Sequence, residues 1–243
     1  MLIQVCVNGA REVAEHPRLS ADEHQVAAEA AGAVAAGAEA IHVHPKDAAG
    51  LDSLAAEDVA RWVRAVRVAC PGVPVGVTTG AWAASGVEDR LDAVAGWVEL
   101  PDFASVNWHE DGADVVASAL VNRGVAVEAG IWNDEGATAW SRSPVRDECV
   151  RVLVEVPDVA EAEARVLAED LVARVEAMAP EARILLHGEG QSTWAVLDLA
   201  VARGLATRIG LEDCLTLPDG SPARDNAALV RAAMERLPPS HLG

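Results

Sequence analysis

The chain of 243 residues has no tyrosine, a single phenylalanine and a single lysine, Lys46, set against eighteen arginines. It has no apolar run near the roughly 20 residues needed to cross a bilayer. Its opening, Met1-Leu2-Ile3-Gln4-Val5, lacks the basic region of a secretory signal. A cytoplasmic location is therefore expected. Cysteine is also scarce: Cys6, Cys70, Cys149 and Cys214 lie far apart without C-x-x-C spacing, so they suggest neither a zinc ribbon nor a disulfide framework and read as reduced core thiols. Basic residues number 19 against 38 acidic ones, for a formal net charge of -19. Nucleic acid and anionic membranes would be repelled, and an anionic ligand needs a locally basic pocket. No Walker loop, G-x-S-x-G elbow or complete dinucleotide fingerprint occurs.

What is present is alternation. Strand-like segments at 3–8, 40–44, 73–78, 103–107, 125–129, 150–156, 183–187 and 207–210 alternate with helical ones at 21–36, 56–69, 87–98, 114–122, 136–146, 159–179, 193–203 and 223–237. No linker or low-complexity tract interrupts them. Eight strand-helix units in this length predict a single (β/α)8 barrel over residues 1–243.

Side chains two apart on a strand share a face, so each strand can be sorted into a helix-facing and a lumenal parity. The helix-facing sets are aliphatic, such as Ile3, Val5 and Val7, or Val75 and Val77. The lumenal sets carry Asn8, His42, His44, Thr78, Asn107, Glu128, His187, Arg208 and Glu212, all towards carboxyl ends of strands, where barrel enzymes place their chemistry. His42-Val43-His44 offers two imidazoles on one face, and Pro45 ends the strand beside them. Strand eight neighbours strand one, which neighbours strand two, so Glu212 is expected to reach the ion that the histidines chelate. Two imidazoles and a carboxylate suit zinc or non-haem iron, with zinc preferred for redox-neutral chemistry.

Arg208 is expected either to hold a substrate carboxylate or to orient Asp213 as a base. Glu128 is a candidate second base or substrate anchor, and Thr78, Thr79, Ser105 and Asn107 supply neutral donors for an anionic substrate. Lys46 is expected to contact an anion. Arg151 and Glu155 share a lumenal parity and are read as a structural pair. Gly188-Glu189-Gly190 could present amides to a phosphate, or simply make a βα turn. His16, His24 and His241 show no metal-like spacing.

Together, Asn8-Gly9-Ala10-Arg11, His42-Val43-His44-Pro45-Lys46-Asp47, Ser105-Val106-Asn107, Glu128 and Arg208-Ile209-Gly210-Leu211-Glu212-Asp213 resemble the β-keto acid cleavage enzymes over nearly the whole chain. The resemblance implies a zinc-dependent (β/α)8 barrel, a dimer or tetramer, that condenses a small β-keto acid with acetyl-CoA to give acetoacetate and a new acyl-CoA. It implies that His42, His44 and Glu212 ligate Zn2+, that Arg208 and Asp213 form the acid/base pair, and that Thr78, Ser105, Asn107 and Glu128 bind or polarise the keto acid. Lys46 stands where Arg is common in the family, and two segments also depart from its pattern. Trp108-His109-Glu110 replaces small residues and is expected to narrow or recharge the pocket, and Glu189 or Gln191 stands where a basic residue is usual. The alternatives are a metal-dependent aldolase or decarboxylase that does not use CoA, and a non-catalytic metal-binding barrel.

Overall fold

In the computed structural model, residues 1–238 are described and His241 lies outside them. Strands β1 (Ile3–Cys6), β2 (Ala40–Val43), β3 (Val75–Thr78), β4 (Phe103–Asn107), β5 (Ala126–Ile131), β6 (Cys149–Val156), β7 (Ile184–Gly188) and β8 (Thr207–Ile209) form one parallel sheet in the order β7-β6-β5-β4-β3-β2-β1-β8. The sheet curls on itself: Leu186 N donates to Ala206 O at 2.9 Å, just ahead of β8, and Leu185 bridges Ala206. Helices α1 (Glu23–Ala35), α2 (Ala56–Ala69), α3 (Val87–Gly96), α4 (Ala113–Asn122), α5 (Asp134–Ser141), α6 (Glu161–Met178), α7 (Thr193–Arg203) and α8 (Asn226–Met234) follow the strands in turn. The expected (β/α)8 barrel is the observed fold. Among the described residues, no helix is long and apolar enough to cross a membrane.

The parity reading explains how the barrel is filled. Ile3, Val5, Ile41, Val43, Val75, Val77, Val106, Val127, Val152, Val154, Ile184, Leu186 and Ile209 belong to the apolar shell between strands and helices. Each helix meets that shell with one stripe; α2 buries Val59, Trp62, Val63 and Val66, spaced by three and four residues. Inside the lumen, Gln4 Nε2 donates to Glu128 Oε1 at 2.8 Å, and Arg151 Nε lies 2.8 Å from the same oxygen. The Arg151 guanidinium also sits 5.4 Å from the centre of the Phe103 ring. That ring fits only because Gly76 has no Cβ, which would fall 1.9 Å from it. The expected pairing of Arg151 with Glu155 is therefore corrected. Register places Arg151 opposite Glu128 and Glu155 opposite His187, so the two share a side of β6 but belong to different levels of the barrel.

Element ends move for local reasons. Helix α5 begins ahead of Gly136 because the Asn133 side chain accepts from Gly136 N at 2.8 Å. It stops at Ser141, not 146, because Pro144 disfavours helical geometry in the residue before it. Asp225 caps α8 in the same way. Strands β1, β2 and β8 end at Cys6, Val43 and Ile209, so Asn8, His44 and Glu212 stand just beyond the ladder.

The exit of β8 presses directly on β1. Glu212 N donates to Cys6 O at 3.3 Å, and a Cβ at Gly210 would fall 1.8 Å from that same carbonyl oxygen. Gly210→Ala is expected to force β8 away from β1 and to cost roughly 3 kcal/mol of stability. Urea unfolding measures this, and a midpoint equal to wild type would contradict the packing argument.

Candidate active site

The carboxyl ends of the strands open into a pocket of about 440 Å³ lined by His42, His44, Thr78, Ser105, Asn107, Arg208 and Glu212, among others. Its floor holds the three residues expected to ligate a metal. His44 Nε2 lies 3.4 Å and His42 Nε2 3.9 Å from Glu212 Oε1, the imidazole centroids are 5.2 Å apart, and one ligand atom from each residue lies within 4.8 Å of the others. His42 Nδ1 and Glu212 Oε2 are both buried without a hydrogen-bond partner. Two imidazoles, a carboxylate and orphaned donor atoms at one point fit a divalent ion.

Local structure holds each group. Asn8 clamps the His44 backbone, donating to its carbonyl at 2.8 Å and accepting from its amide at 3.0 Å. Arg208, 3% exposed, places Nη2 at 3.0 Å from both Glu212 Oε1 and Asp213 Oδ1. Asp213 also receives the Cys6 thiol and faces His187 Nδ1 at 3.6 Å. Burial drives the His42 pKa down to about 3. Burial also acts against charge on His44, but Glu212 and Asp52 overcome it and raise that imidazole to about 9. The Glu212 carboxyl, which burial alone would raise, is held well below its usual range by His44, Arg208 and His42.

The other expected residues separate into two groups. Thr78, Ser105 and Asn107 line the pocket, and Asn107 Nδ2 donates to Glu110 Oε1 at 2.9 Å. Glu128, Thr79, Lys46 and Asp213 do not line it. Glu128 is fully buried with Gln4 and Arg151, and burial raises its pKa. Thr79 Oγ1 donates to Ser105 O at 2.7 Å. The Lys46 ammonium is directed to Gly9 O at 2.7 Å and to Asp52.

One expectation about loops is corrected for Trp108, and of the two readings of the strand-seven loop the simple turn holds. Trp108 is 3% exposed within the apolar shell and does not line the pocket, whereas Glu110, paired with Arg90 at 2.9 Å, meets the pocket only through the Asn107 amide that it accepts. The amides of the strand-seven loop are already taken: Glu189 N by Val156 O, Gly190 N by Asp213 O, and Gln191 N by Asp158 Oδ1. That leaves a βα turn and no phosphate cradle.

A family model described as beta-keto acid cleavage enzyme matches residues 1–113 and 123–238. The chain belongs to the β-keto acid cleavage enzyme family. Relatives in the family include the 3-keto-5-aminohexanoate cleavage enzyme of Fusobacterium nucleatum, 24% identical over 241 residues, covering 95% of this chain and 88% of the relative. The enzyme of that name from Acetoanaerobium sticklandii is 22% identical over 243 residues, covering 95% and 89%. Among solved structures, ObcA with oxaloacetate superposes with a TM-score of 0.69 at 17% identity, covering 90% of this chain and 63% of that one. ObcA with a C4-CoA adduct and oxalate gives 0.70 at 17%, with the same coverage. The chain thus spans less than two thirds of ObcA, and at this identity the likeness shows the fold.

Eight pocket residues of this family member were not singled out as site residues from the sequence, Arg11, Trp82, Glu155 and Glu189 among them. Arg11 Nε donates to Glu212 O at 2.9 Å. Glu155 Oε2 is 3.1 Å from His187 Nε2. Burial first, and the neighbouring Glu155 second, push the Glu189 carboxyl up to about 8. The parity of Glu155 was available as a signal; the loop positions gave none.

Because the folded Glu189 holds a proton that an unfolded chain releases near pH 4.5, its contribution to stability is intact below that pH and is lost as pH rises through about 8. Glu189→Gln is expected to flatten the fall in melting temperature between about pH 5 and about pH 8. An unchanged slope would show that the carboxyl ionises freely.

Proposed function

We propose that this family member is a zinc-dependent enzyme that condenses a small β-keto acid with acetyl-CoA to yield acetoacetate and a new acyl-CoA. The observation that carries the reading is the convergence of His42, His44 and Glu212 at the floor of a pocket whose walls include Arg208, Thr78, Ser105 and Asn107. The names of the curated relatives and the keto acid and CoA adduct in the ObcA complexes support the substrate classes.

His42, His44 and Glu212 would hold Zn2+, which when bound supplies Lewis acidity toward a carbonyl oxygen. Arg208 is the buried cation of the pocket wall and favours a carboxylate beside it, in a protein whose net charge would otherwise repel one. Thr78, Ser105 and Asn107 orient the keto acid with neutral hydrogen bonds. Asp213, behind the wall and bonded to Arg208 at 3.0 Å, forms with it the acid/base pair that takes a proton from the carbon between the keto and carboxylate groups, Arg208 being the member that lines the pocket. The carbanion attacks the thioester carbonyl of acetyl-CoA and expels the CoA thiolate. That thiolate adds to the original keto carbon, the carbon-carbon bond next to it breaks to release the new acyl-CoA, and the carbanion left behind takes back the proton held by the acid/base pair to become acetoacetate. Glu128 supports this wall from below as a buried carboxylate whose Oε2 has no protein partner. The reading includes a cytoplasmic dimer or tetramer, in keeping with four free thiols; light scattering that gives a monomer would remove the oligomer from it.

Two experiments test the chemistry. Purified wild-type protein is expected to contain stoichiometric zinc by elemental analysis, and a His42→Ala/His44→Ala variant none; equal metal in both would refute the triad. Against a panel of β-keto acids, acetoacetate should form only when acetyl-CoA is added. Asp213→Asn should retain the metal yet lower kcat by about 10²–10⁴-fold. Turnover without acetyl-CoA would instead favour an aldolase or decarboxylase, and zinc without any turnover a binding barrel.

A further inference from the structure

Asp52 lies in the loop between β2 and α2 and is outside every motif that identified the site. Its side chain is 6% exposed and gathers three donors from two segments. Oδ2 accepts from His44 Nδ1 at 2.9 Å and from Trp82 Nε1 at 2.7 Å, while Oδ1 takes the Lys46 ammonium. A carboxylate can only accept here, so the Nδ1 of His44 carries hydrogen and its Nε2 is left facing Glu212. Trp82 stacks on the other side of the same imidazole, with centroids 6.0 Å apart and planes at 21°. The ring of His44 is thus fixed in tautomer, tilt and direction by groups that do not line the triad.

Lys46 extends this hold to the third ligand. Its ammonium also donates to Gly9 O at 2.7 Å. Gly9 has a φ of +58° and packs so tightly on Glu212 that a Cβ there would fall 2.4 Å from Glu212 Cγ. A continuous path therefore runs from His44 through Asp52, Lys46 and Gly9 to the Glu212 side chain. It couples the ends of β2 and β8 without passing through the ligand atoms. The one lysine of the chain is spent inside this path.

Resting on the metal-site reading above, we propose that Asp52, with Lys46 as its counter-ion, is the positioning residue of the metal centre. It presets His44 Nε2 toward His42 and Glu212 and anchors Trp82 as a wall of the substrate pocket. Partners of this kind raise the affinity of a ligating histidine by about 10- to 100-fold.

The test is Zn2+ affinity, measured by competition with a chromophoric chelator, alongside the melting temperature of each metal-free protein. Asp52→Ala should bind Zn2+ about 10- to 100-fold more weakly. Asp52→Asn, which keeps an acceptor oxygen but no charge, should fall between it and wild type, and Lys46→Met should weaken binding as well. If Asp52→Ala does not fold, the isosteric Asp52→Asn decides, together with the visible spectrum of its Co2+ form, which should differ from that of wild type. Wild-type affinity and an unchanged Co2+ spectrum in the Asp52 variants would overturn the positioning role while leaving the triad in place. Failure of the triad itself would show separately, as Zn2+ bound equally by wild type and the His42→Ala/His44→Ala variant.

Discussion

One buried guanidinium organises the mouth of this barrel. Arg208 rises from β8, where it is in register with Gln4 of β1, and divides Nη2 between Glu212 and Asp213. A guanidinium removed from water is tolerated only when paired, and each carboxylate in turn needs that cation. The three groups therefore hold one another in place. Glu212 Oε1 is drawn to Arg208 and the imidazoles at once, which leaves Oε2 without a protein partner. Asp213 is kept behind the pocket wall with a thiol on its other oxygen. Weakening any member would leave an uncompensated charge in the lumen and would also release a residue to which the proposed chemistry gives a role.

Much of this could be read before any coordinates, because a barrel strand has a period of two and its consequences are strict. Aliphatic residues on one parity and polar ones on the other placed His42, His44, Thr78, Asn107, Arg208 and Glu212 on the inner face. The neighbour relation of strands eight, one and two was enough to bring a carboxylate to two imidazoles. Boundary errors arose where a single side chain outweighs periodicity: the Asn133 cap and Pro144 together moved α5.

Parity says which side a residue faces and nothing about its height in a staggered barrel. Arg151 and Glu155 share a side, yet the register of β5 against β6 gives Arg151 to Glu128 and that of β6 against β7 gives Glu155 to His187. Nor does parity say whether Glu128 reaches the pocket: it is buried with Gln4 and Arg151 and does not line it. Loops have no period at all. Asp52 and Trp82 reach His44 from separate loops, and Val156 O, Asp213 O and Asp158 each take one of the amides after β7 that would otherwise have suggested an anion site. Lys46 shows the limit most directly: its rarity marked it as important, but only the fold shows that its charge is used internally.

The distribution of the triad along the chain has a consequence for how the protein comes to be. The histidines leave the ribosome at the end of β2 and Glu212 only after β8, so a nascent chain carries two thirds of the candidate metal site while the six strands that follow β2 are made. The third ligand arrives with the very strand that closes the barrel against β1. An ion captured by all three would thus bind the closed barrel far better than any open form, and would stabilise it by about 2.7 kcal/mol at a free concentration 100 times its Kd. An ion bound there would also be a clasp, and its loss and the reopening of the β1–β8 seam would become two views of one equilibrium.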